Sequence, residues 1–246
     1  TVMRLINAEN LVYADKTPFI ARLEEDPACK VAVFLRPRRF GKTLFTDLLM
    51  SYYDSSLAGS FDSTFKETWI HEHKTSLACS YCCIRFDFSS VSGDAKLVKA
   101  SFTGEIAYAL MDFTDRYPDL GLPYSELKAD LYAEPSDLMK AFVANFRRHS
   151  TGRDLLYVII DEYDHFANDI LSRDTETFRK ITSTAKEHEG FIKQFYSYLK
   201  EASGGERSRP IERFFLTASS YVYKKQLSSC ISIGTTIRKE LWFMSL

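Results

Sequence analysis

The apolar positions of the chain fall into four short runs separated by longer stretches of helical character. Each run is rich in β-branched and aromatic residues, which is typical of strands. The run at 154–161 is almost entirely apolar, as expected of a strand that is covered on both faces of a sheet. The four predicted strands are residues 30–35, 83–89, 154–161 and 212–219.

Helical spacing of apolar residues appears between these runs. From Leu44 to Tyr52 the apolar residues recur every three or four positions, which predicts a helix that begins near Thr43. Residues 173–202 form a polar helical region, and 203–210 form a flexible, basic surface loop. The mostly helical stretch between the second and third strands is interrupted at Pro118, Pro123 and Pro135. The alternation predicts an α/β fold, a three-layer sandwich with a mostly parallel sheet and helices on both faces.

A phosphate-binding loop is predicted between the first strand and its helix. Gly41 would let the backbone approach a phosphate chain, and the N-terminus of the helix would direct free N–H groups at it. Lys42 would reach the β- and γ-phosphates, and Thr43 would offer its hydroxyl to magnesium. The usual pattern has a first glycine where this chain has Arg36. The alternative is a capped helix start with no ligand.

The other half of such a site is predicted at the ends of the third and fourth strands. Asp161 ends a buried strand at the edge where open α/β sheets bind ligands, and it would hold magnesium directly or through water. Glu162 would orient or deprotonate the attacking water. Thr217, with Ser219 as second choice, would sense the γ-phosphate. The alternative for the two acids is a solvated helix N-terminus, which favours negative charge.

Three arginines, Arg36, Arg38 and Arg39, bring positive charge to the predicted loop. Guanidinium groups match phosphate oxygens in two-pronged fashion, so one of them could stabilise transition-state charge. Alternatively they point outward, pair with surface acids or contact a partner. The predicted nucleotide contacts are Arg36, Pro37, Arg38, Arg39, Phe40, Gly41, Lys42, Thr43 and Leu44.

Five cysteines are present, and three of them lie close together near two histidines. A zinc site is conceivable on ligand type, but no second C-x-x-C pair accompanies it. Buried free thiols in a reducing cytoplasm are the favoured interpretation. The zinc alternative would use His71, His73, Cys79 and Cys82.

Composition limits the function classes. The chain has 246 residues, is 45% hydrophobic and 26% charged, and has a formal net charge of −1. This is ordinary globular composition, without an overall basic signal for nucleic acid, a membrane-spanning apolar run or a secretory signal pattern. Five arginines could form a DNA-binding patch, although a solvated face is favoured. They are Arg147, Arg148, Arg153, Arg207 and Arg209.

Three sequence motifs together resemble the bacterial AAA-ATPase-like family, a group of predicted P-loop ATPases. They are the RPRRFGKT loop at 36–43, the DEYD motif at 161–164, and the upstream Y-x-D-K-T at 13–17. The resemblance implies ATP and Mg²⁺ binding and the additional-strand, AAA/STAND-like type of P-loop fold, with the strand of Asp161 at neither edge. Asp15 and Lys16 would lie near the adenine or form a structural salt bridge. The absence of an N-K-x-D motif favours ATP over GTP.

The end of the chain departs from the family pattern. We expect a P-loop core over 1–220, with a lead-in at 1–29, and a divergent or truncated tail at 221–246. Many family members continue into a nuclease-like domain, and the tail lacks a carboxylate–carboxylate–lysine set. The expected function is Mg-dependent ATP binding and hydrolysis. The ATP state would be read by a protein partner or by another copy of the chain. The alternatives are a nucleotide-gated module without a lid, which hydrolyses little, and an interaction domain without nucleotide.

Overall fold

The computed structural model describes residues 14–25, 30–122, 134–151, 154–183 and 189–219. Its four strands form one parallel sheet in the order β1-β4-β3-β2. Their bounds lie close to those predicted: β1 (Val31–Leu35), β2 (Cys82–Asp87), β3 (Leu156–Asp161) and β4 (Ile211–Ala218). In this sheet β3 and β4 are interior, so Asp161 ends a strand at neither edge, as expected.

Helices cover both faces of the sheet. One face carries α1 (Pro18–Glu24), α2 (Lys42–Tyr53), α3 (Phe61–Phe65) and α4 (Trp69–Glu72). The other carries α5 (Val98–Arg116), α6 (Pro135–His149), α7 (His165–Arg173), α8 (Thr175–Thr182) and α9 (Phe191–Glu201). Short 3-10 turns lie at Ser55–Ser60 and Pro118–Leu120.

The side chains of β3 show why the chain makes three layers. All six residues of β3 are buried. Tyr157 and Ile159 pack into the core beneath α1–α4, whereas Val158 and Ile160 pack into the core beneath α5–α9. Successive side chains of a strand point to opposite faces, so a continuous apolar run must be covered twice. The predicted α/β sandwich with a parallel sheet is confirmed.

Two helix boundaries lie at or near prolines that were predicted to interrupt the helical stretch. The long helix α5 ends at Arg116, just before Pro118, and α6 begins with Pro135 at its first turn, where a missing N–H costs nothing. Pro123 lies outside the described residues. The predicted polar helical region at 173–202 includes α8 and α9. Asp174 follows α7 and caps α8 by accepting hydrogen bonds from the backbone N–H groups of Glu176 and Thr177.

The D-K-T motif has a structural role in this fold. Asp15 accepts hydrogen bonds from Thr17 N at 2.9 Å and from Trp69 N at 2.7 Å. The Thr17 hydroxyl accepts one from Ile70 N at 3.1 Å. The motif thus ties the start of α1 to the start of α4 through the hydrogen bonds of Asp15 and Thr17. Tyr13 lies outside the described residues.

The cysteines of the described chain are free thiols. Cys82 and Cys83 are buried, and Cys79 is half-buried. Burial raises the pKa of Cys82 to about 12 and raises that of Cys83 well above its usual value, so both stay protonated at neutral pH. Within the described ranges no group of three or more His, Cys, Asp or Glu side chains could hold a metal, which argues against the zinc alternative.

A membrane span was not expected. Among the helices that the structure describes, none has the length and apolar character needed to cross a bilayer.

Candidate functional site

The loop between β1 and α2 reverses direction through two residues with positive φ. Gly41 has φ 73° and directly precedes α2, and Arg39 has φ 68°. A Cβ on Gly41 would meet nothing within 4 Å, so the backbone conformation, and not lack of space, favours glycine there. Arg36 N donates to Ala218 O at 3.1 Å, which fixes the start of the loop to the end of β4.

Lys42 is the first residue of α2, its ammonium contacts the loop, and the residue is only 4% exposed. Its Nζ donates to Arg36 O at 3.2 Å, to Pro37 O at 3.3 Å and to Ser219 Oγ at 2.9 Å. It also forms an ion pair with Glu162 Oε1 at 2.9 Å. A buried ammonium is tolerated only when it is paired and hydrogen-bonded, and these four partners meet that need.

Asp161 lies beside Lys42's helix and is 1% exposed. Its Oδ1 accepts a hydrogen bond from Thr217 Oγ1 at 2.5 Å. Its Oδ2 accepts from Thr46 Oγ1 at 3.3 Å and from Arg85 Nη2 at 3.0 Å. The carboxylate is therefore held in one orientation by α2, β2 and β4.

Thr217, the predicted phosphate sensor, lies behind Asp161 and Glu162. The side chain is fully buried, and its hydroxyl donates to Asp161 while it accepts from Glu162 N at 3.0 Å. Both bonds point into the protein, so Thr217 positions the two acids. The reason is its place inside β4, which ends only at Ala218.

Ser219, the second choice, lies next to Lys42 and Glu162. It follows β4 on the same side as Thr217 but beyond the strand end. Its Oγ lies 2.9 Å from Lys42 Nζ and donates to Glu162 Oε2 at 3.0 Å. Its backbone N donates to Asp164 Oδ1 at 3.1 Å. Asp164 is fully buried and caps this turn.

Glu162 is held in a conformation that non-glycine residues rarely adopt. Its φ is 52°, directly after β3. The bond from Glu162 N to Thr217 and the pairing of its carboxylate with Lys42 and Ser219 over-determine this geometry. Strained residues of this kind cluster at functional sites, because the surrounding structure must offset their cost.

The other predicted loop residues lie around this centre. Arg38 is exposed, with Nη2 3.1 Å from His165 Nδ1, and Arg36 is half-buried, with its guanidinium carbon 5.6 Å from the Phe34 ring centroid. The remaining members are exposed, except for half-buried Leu44: Pro37, Arg39, Phe40 and Thr43. Nothing in these contacts tests the predicted arginine finger, and Arg153 of the basic patch lies outside the described residues.

Two residues of the site escaped sequence reasoning. Thr46 follows Thr43 by three positions, and Oγ1 of Thr46 donates to Thr43 O at 2.8 Å, so helical spacing could have indicated it. Arg85 is a charged residue inside the mostly apolar run of β2, and this unusual position could have indicated it. Its guanidinium bridges Asp47 on α2 and Asp161 on β3. Burial raises the pKa of Asp47, and Arg85 opposes that shift.

The oxygen ligands of this site suit magnesium bound together with a nucleotide better than a metal ion held by protein ligands alone. Thr43 and Asp161 offer hard oxygen ligands, which Mg²⁺ prefers, and Mg²⁺ is usually held by one or two carboxylates together with substrate phosphates. Magnesium would be held by Thr43 and Asp161, and the nucleotide by the loop around Lys42.

Similarity to known proteins indicates the family of the chain. The sequence model of one family, described as "Predicted AAA-ATPase", matches residues 3–228. An "Uncharacterized protein in vnfD 5'region" from Azotobacter chroococcum mcd 1 is 25% identical over 209 residues, which is 84% of this chain and 34% of the relative. The chain thus spans about a third of that relative's length. No solved structure matches the chain. Because the family match covers most of the sequence, the chain belongs to the predicted AAA-ATPase family.

Proposed function

We propose that the chain is a Mg²⁺-dependent ATPase. The observation that carries the proposal is the meeting of Lys42, Glu162 and Ser219 at the carboxyl ends of β1, β3 and β4, beside the N-terminus of α2. Helix N-termini attract phosphate through free N–H groups and the helix dipole. An ammonium, a carboxylate and a hydroxyl at such a point suit phosphoryl transfer to water.

Each residue has a defined role in this proposal. Lys42 exchanges its contact with Glu162 for the β- and γ-phosphates, and Thr43 and Asp161 bind magnesium. Bound magnesium would neutralise charge on the phosphates. Glu162, once released from Lys42, orients the attacking water and accepts its proton. Ser219 contacts the γ-phosphate, and Thr217 holds Asp161 and Glu162 in place.

The sheet order supports the additional-strand, AAA/STAND-like type of P-loop fold. Strand β4 lies between β1, which leads into the phosphate loop (Walker A), and β3, which ends in the magnesium ligand (Walker B). The buried free thiols on β2 suit a reducing cytoplasm. We further propose that ATP state is read by a protein partner or by another copy of the chain.

The test compares ATP binding with turnover in Glu162→Gln. Removing the carboxylate should reduce multiple-turnover phosphate release by about a hundredfold and leave ATP affinity largely unchanged, since its role lies in the chemical step. Glu67→Gln is the matched control, because Glu67 also has positive φ (66°) but lies exposed, away from the site. Equal losses in both variants would contradict the catalytic role of Glu162.

A second candidate is a nucleotide-gated interaction module with little hydrolysis. The observation that favours this candidate is that Glu162 is ion-paired with Lys42 and hydrogen-bonded by Ser219. Glu162 cannot serve as a base until those contacts break. If wild type binds ATP but releases phosphate as slowly as Glu162→Gln, this second candidate replaces the first.

A further inference from the structure

A partly buried charge cluster lies next to the candidate site and includes Asp161 itself. Arg85, on the edge strand β2, pairs through Nη1 with Asp47 and through Nη2 with Asp161 Oδ2 at 3.0 Å. Asp87 Oδ2 lies 3.6 Å from the same Nη2. The side chain of Arg85 is 20% exposed and lines a cleft of about 500 Å³ between α2 and α5. Its buried Nε has no hydrogen-bond partner among the described residues, so charge, and not a complete set of hydrogen bonds, holds the guanidinium there.

Asp161 needs a positive partner in this position. A carboxylate that is 1% exposed is costly to bury unless it is paired. Lys42 is paired with Glu162 instead, and the two threonine hydroxyls on Asp161 carry no charge. Of the groups that contact Asp161 in the described chain, Arg85 alone brings a full positive charge.

A fixed guanidinium at this distance also acts on any cation that approaches Asp161. Like charges a few ångströms apart repel strongly in a partly buried setting, where the effective dielectric constant is far below that of water. A free divalent cation therefore meets a carboxylate that is already neutralised. A cation that arrives with a polyphosphate brings negative charge of its own, which offsets the repulsion from Arg85.

We propose that Arg85 is a positioning residue that balances the charge of Asp161 and thereby makes metal entry depend on nucleotide. It holds Asp161 Oδ2 toward α2 and keeps the affinity of the site for free divalent cations low, so that the metal enters together with the phosphates. This inference rests on the proposed function, because it takes Asp161 as the metal ligand.

Mn²⁺ binding to the full chain without nucleotide, measured by electron paramagnetic resonance, tests the proposal. Arg85→Gln keeps a hydrogen-bond donor and removes the charge, so it should bind Mn²⁺ at least about tenfold tighter than wild type. Arg85→Lys keeps the charge and should behave as wild type. A merely structural role predicts the opposite sign, since a disturbed site binds metal more weakly.

The cleft itself provides a matched control. Arg116 lines the same cleft and its side chain is also 20% exposed, but it pairs with Asp54 and Asp112 and not with Asp161. Arg116→Gln should therefore leave Mn²⁺ affinity unchanged. Adding Asp161→Asn to Arg85→Gln should abolish the gain, which separates binding at Asp161 from binding at the freed Asp47 and Asp87.

The outcomes decide between this inference and the proposed function. Unchanged or weaker Mn²⁺ binding in Arg85→Gln, or a gain that survives Asp161→Asn, overturns the role of Arg85. Failure of wild type to bind ATP with Mg²⁺ overturns the proposed function instead. Thermal unfolding checks that each variant is folded. If Arg85→Gln is not folded, Arg85→Met replaces it, because Met is uncharged and has a long side chain.

Discussion

At the scale of single residues, the site is defined by which polar groups contact one another at the ends of three strands. Lys42, Glu162 and Ser219 form a connected set, and Thr217 lies one layer deeper behind Asp161. Thr217 inside β4 and Ser219 just beyond its end thus differ in their contacts, a difference that the sequence could not show. One orients the acids, and the other faces the loop.

Ser219→Ala tests this division. The variant loses a hydroxyl that donates to Glu162 and lies within hydrogen-bond distance of Lys42. We expect turnover to fall by about a hundredfold, as when one donor to developing charge is removed, with ATP affinity reduced far less. Steady-state phosphate release and calorimetric ATP binding measure the two effects.

The matched control for this serine is Ser203→Ala. Ser203 lies near the other end of β4, where it bridges to Ile211 and its hydroxyl donates to Lys200 O. Turnover in this variant should match wild type. If Ser219→Ala also matched wild type, Ser219 would have no part in the chemistry.

Sequence reasoning located the site residues that local patterns define. Gly41, Lys42 and Thr43 follow a strand and open a helix, and Asp161 ends a buried apolar run, so each is visible within a few neighbouring positions. The Arg85–Asp161 pair was not visible, because residues 76 positions apart meet only through the pairing of β2 with β3. Tertiary contacts of this kind leave no periodic signal in a single sequence.

At the scale of elements, the strands and α2 follow the apolar pattern closely, and the predicted polar helical region contains α8 and α9, whose ends the pattern did not give. Residues 173–202 were predicted as one polar helical region, in which the structure describes α8, capped by Asp174, and α9, preceded by Gly190. Helix ends depend on capping side chains and tight packing, which hydrophobic spacing does not report.

Gly190 is the residue on which the packing of α8 against α9 depends. A Cβ built there would overlap the backbone carbonyls of Ile181 and Lys180 at the end of α8. Its φ is −65°, so the constraint is space and not backbone conformation. Gly190→Ala should destabilise the fold by about 1–3 kcal/mol, as overpacking does. Urea unfolding measures the change.

Gly59→Ala is the control for this substitution. A Cβ at Gly59 would meet nothing within 4 Å. Its free energy of unfolding should stay within about 0.5 kcal/mol of wild type, as for most surface changes. Equal destabilisation by the two substitutions would show that the α8–α9 contact is not as close as described.

At the scale of the whole molecule, two cores separated by the sheet hold the three layers together. The core beneath α5–α9 is rich in phenylalanine, and Phe102 on α5 lies at its centre. Its ring centroid is 4.4–5.5 Å from those of four other aromatic residues. They are Phe88, Phe166, Phe191 and Phe195. One side chain of α5 thus connects the residue that follows β2 with α7 and α9.

Phe102→Ala should be among the most damaging single substitutions in the chain. Phe102 is fully buried, so its removal leaves a cavity and costs about 3–5 kcal/mol of unfolding free energy. Tyr108→Ala on the same helix is the control, because Tyr108 is 70% exposed and should cost less than about 0.5 kcal/mol. Similar unfolding midpoints for the two variants would contradict the position of this core.

The central claim is that the loop around Lys42 binds ATP with Mg²⁺, and isothermal titration calorimetry tests it most directly. Wild type should bind ATP in the presence of Mg²⁺, and Lys42→Ala should lose that binding, since the ammonium is the cation that the loop carbonyls hold for the phosphates. Lys30→Ala, which removes a half-exposed lysine paired with Glu212, should bind as wild type does. Absence of ATP binding in folded wild type, or equal affinity in Lys42→Ala, would contradict the account.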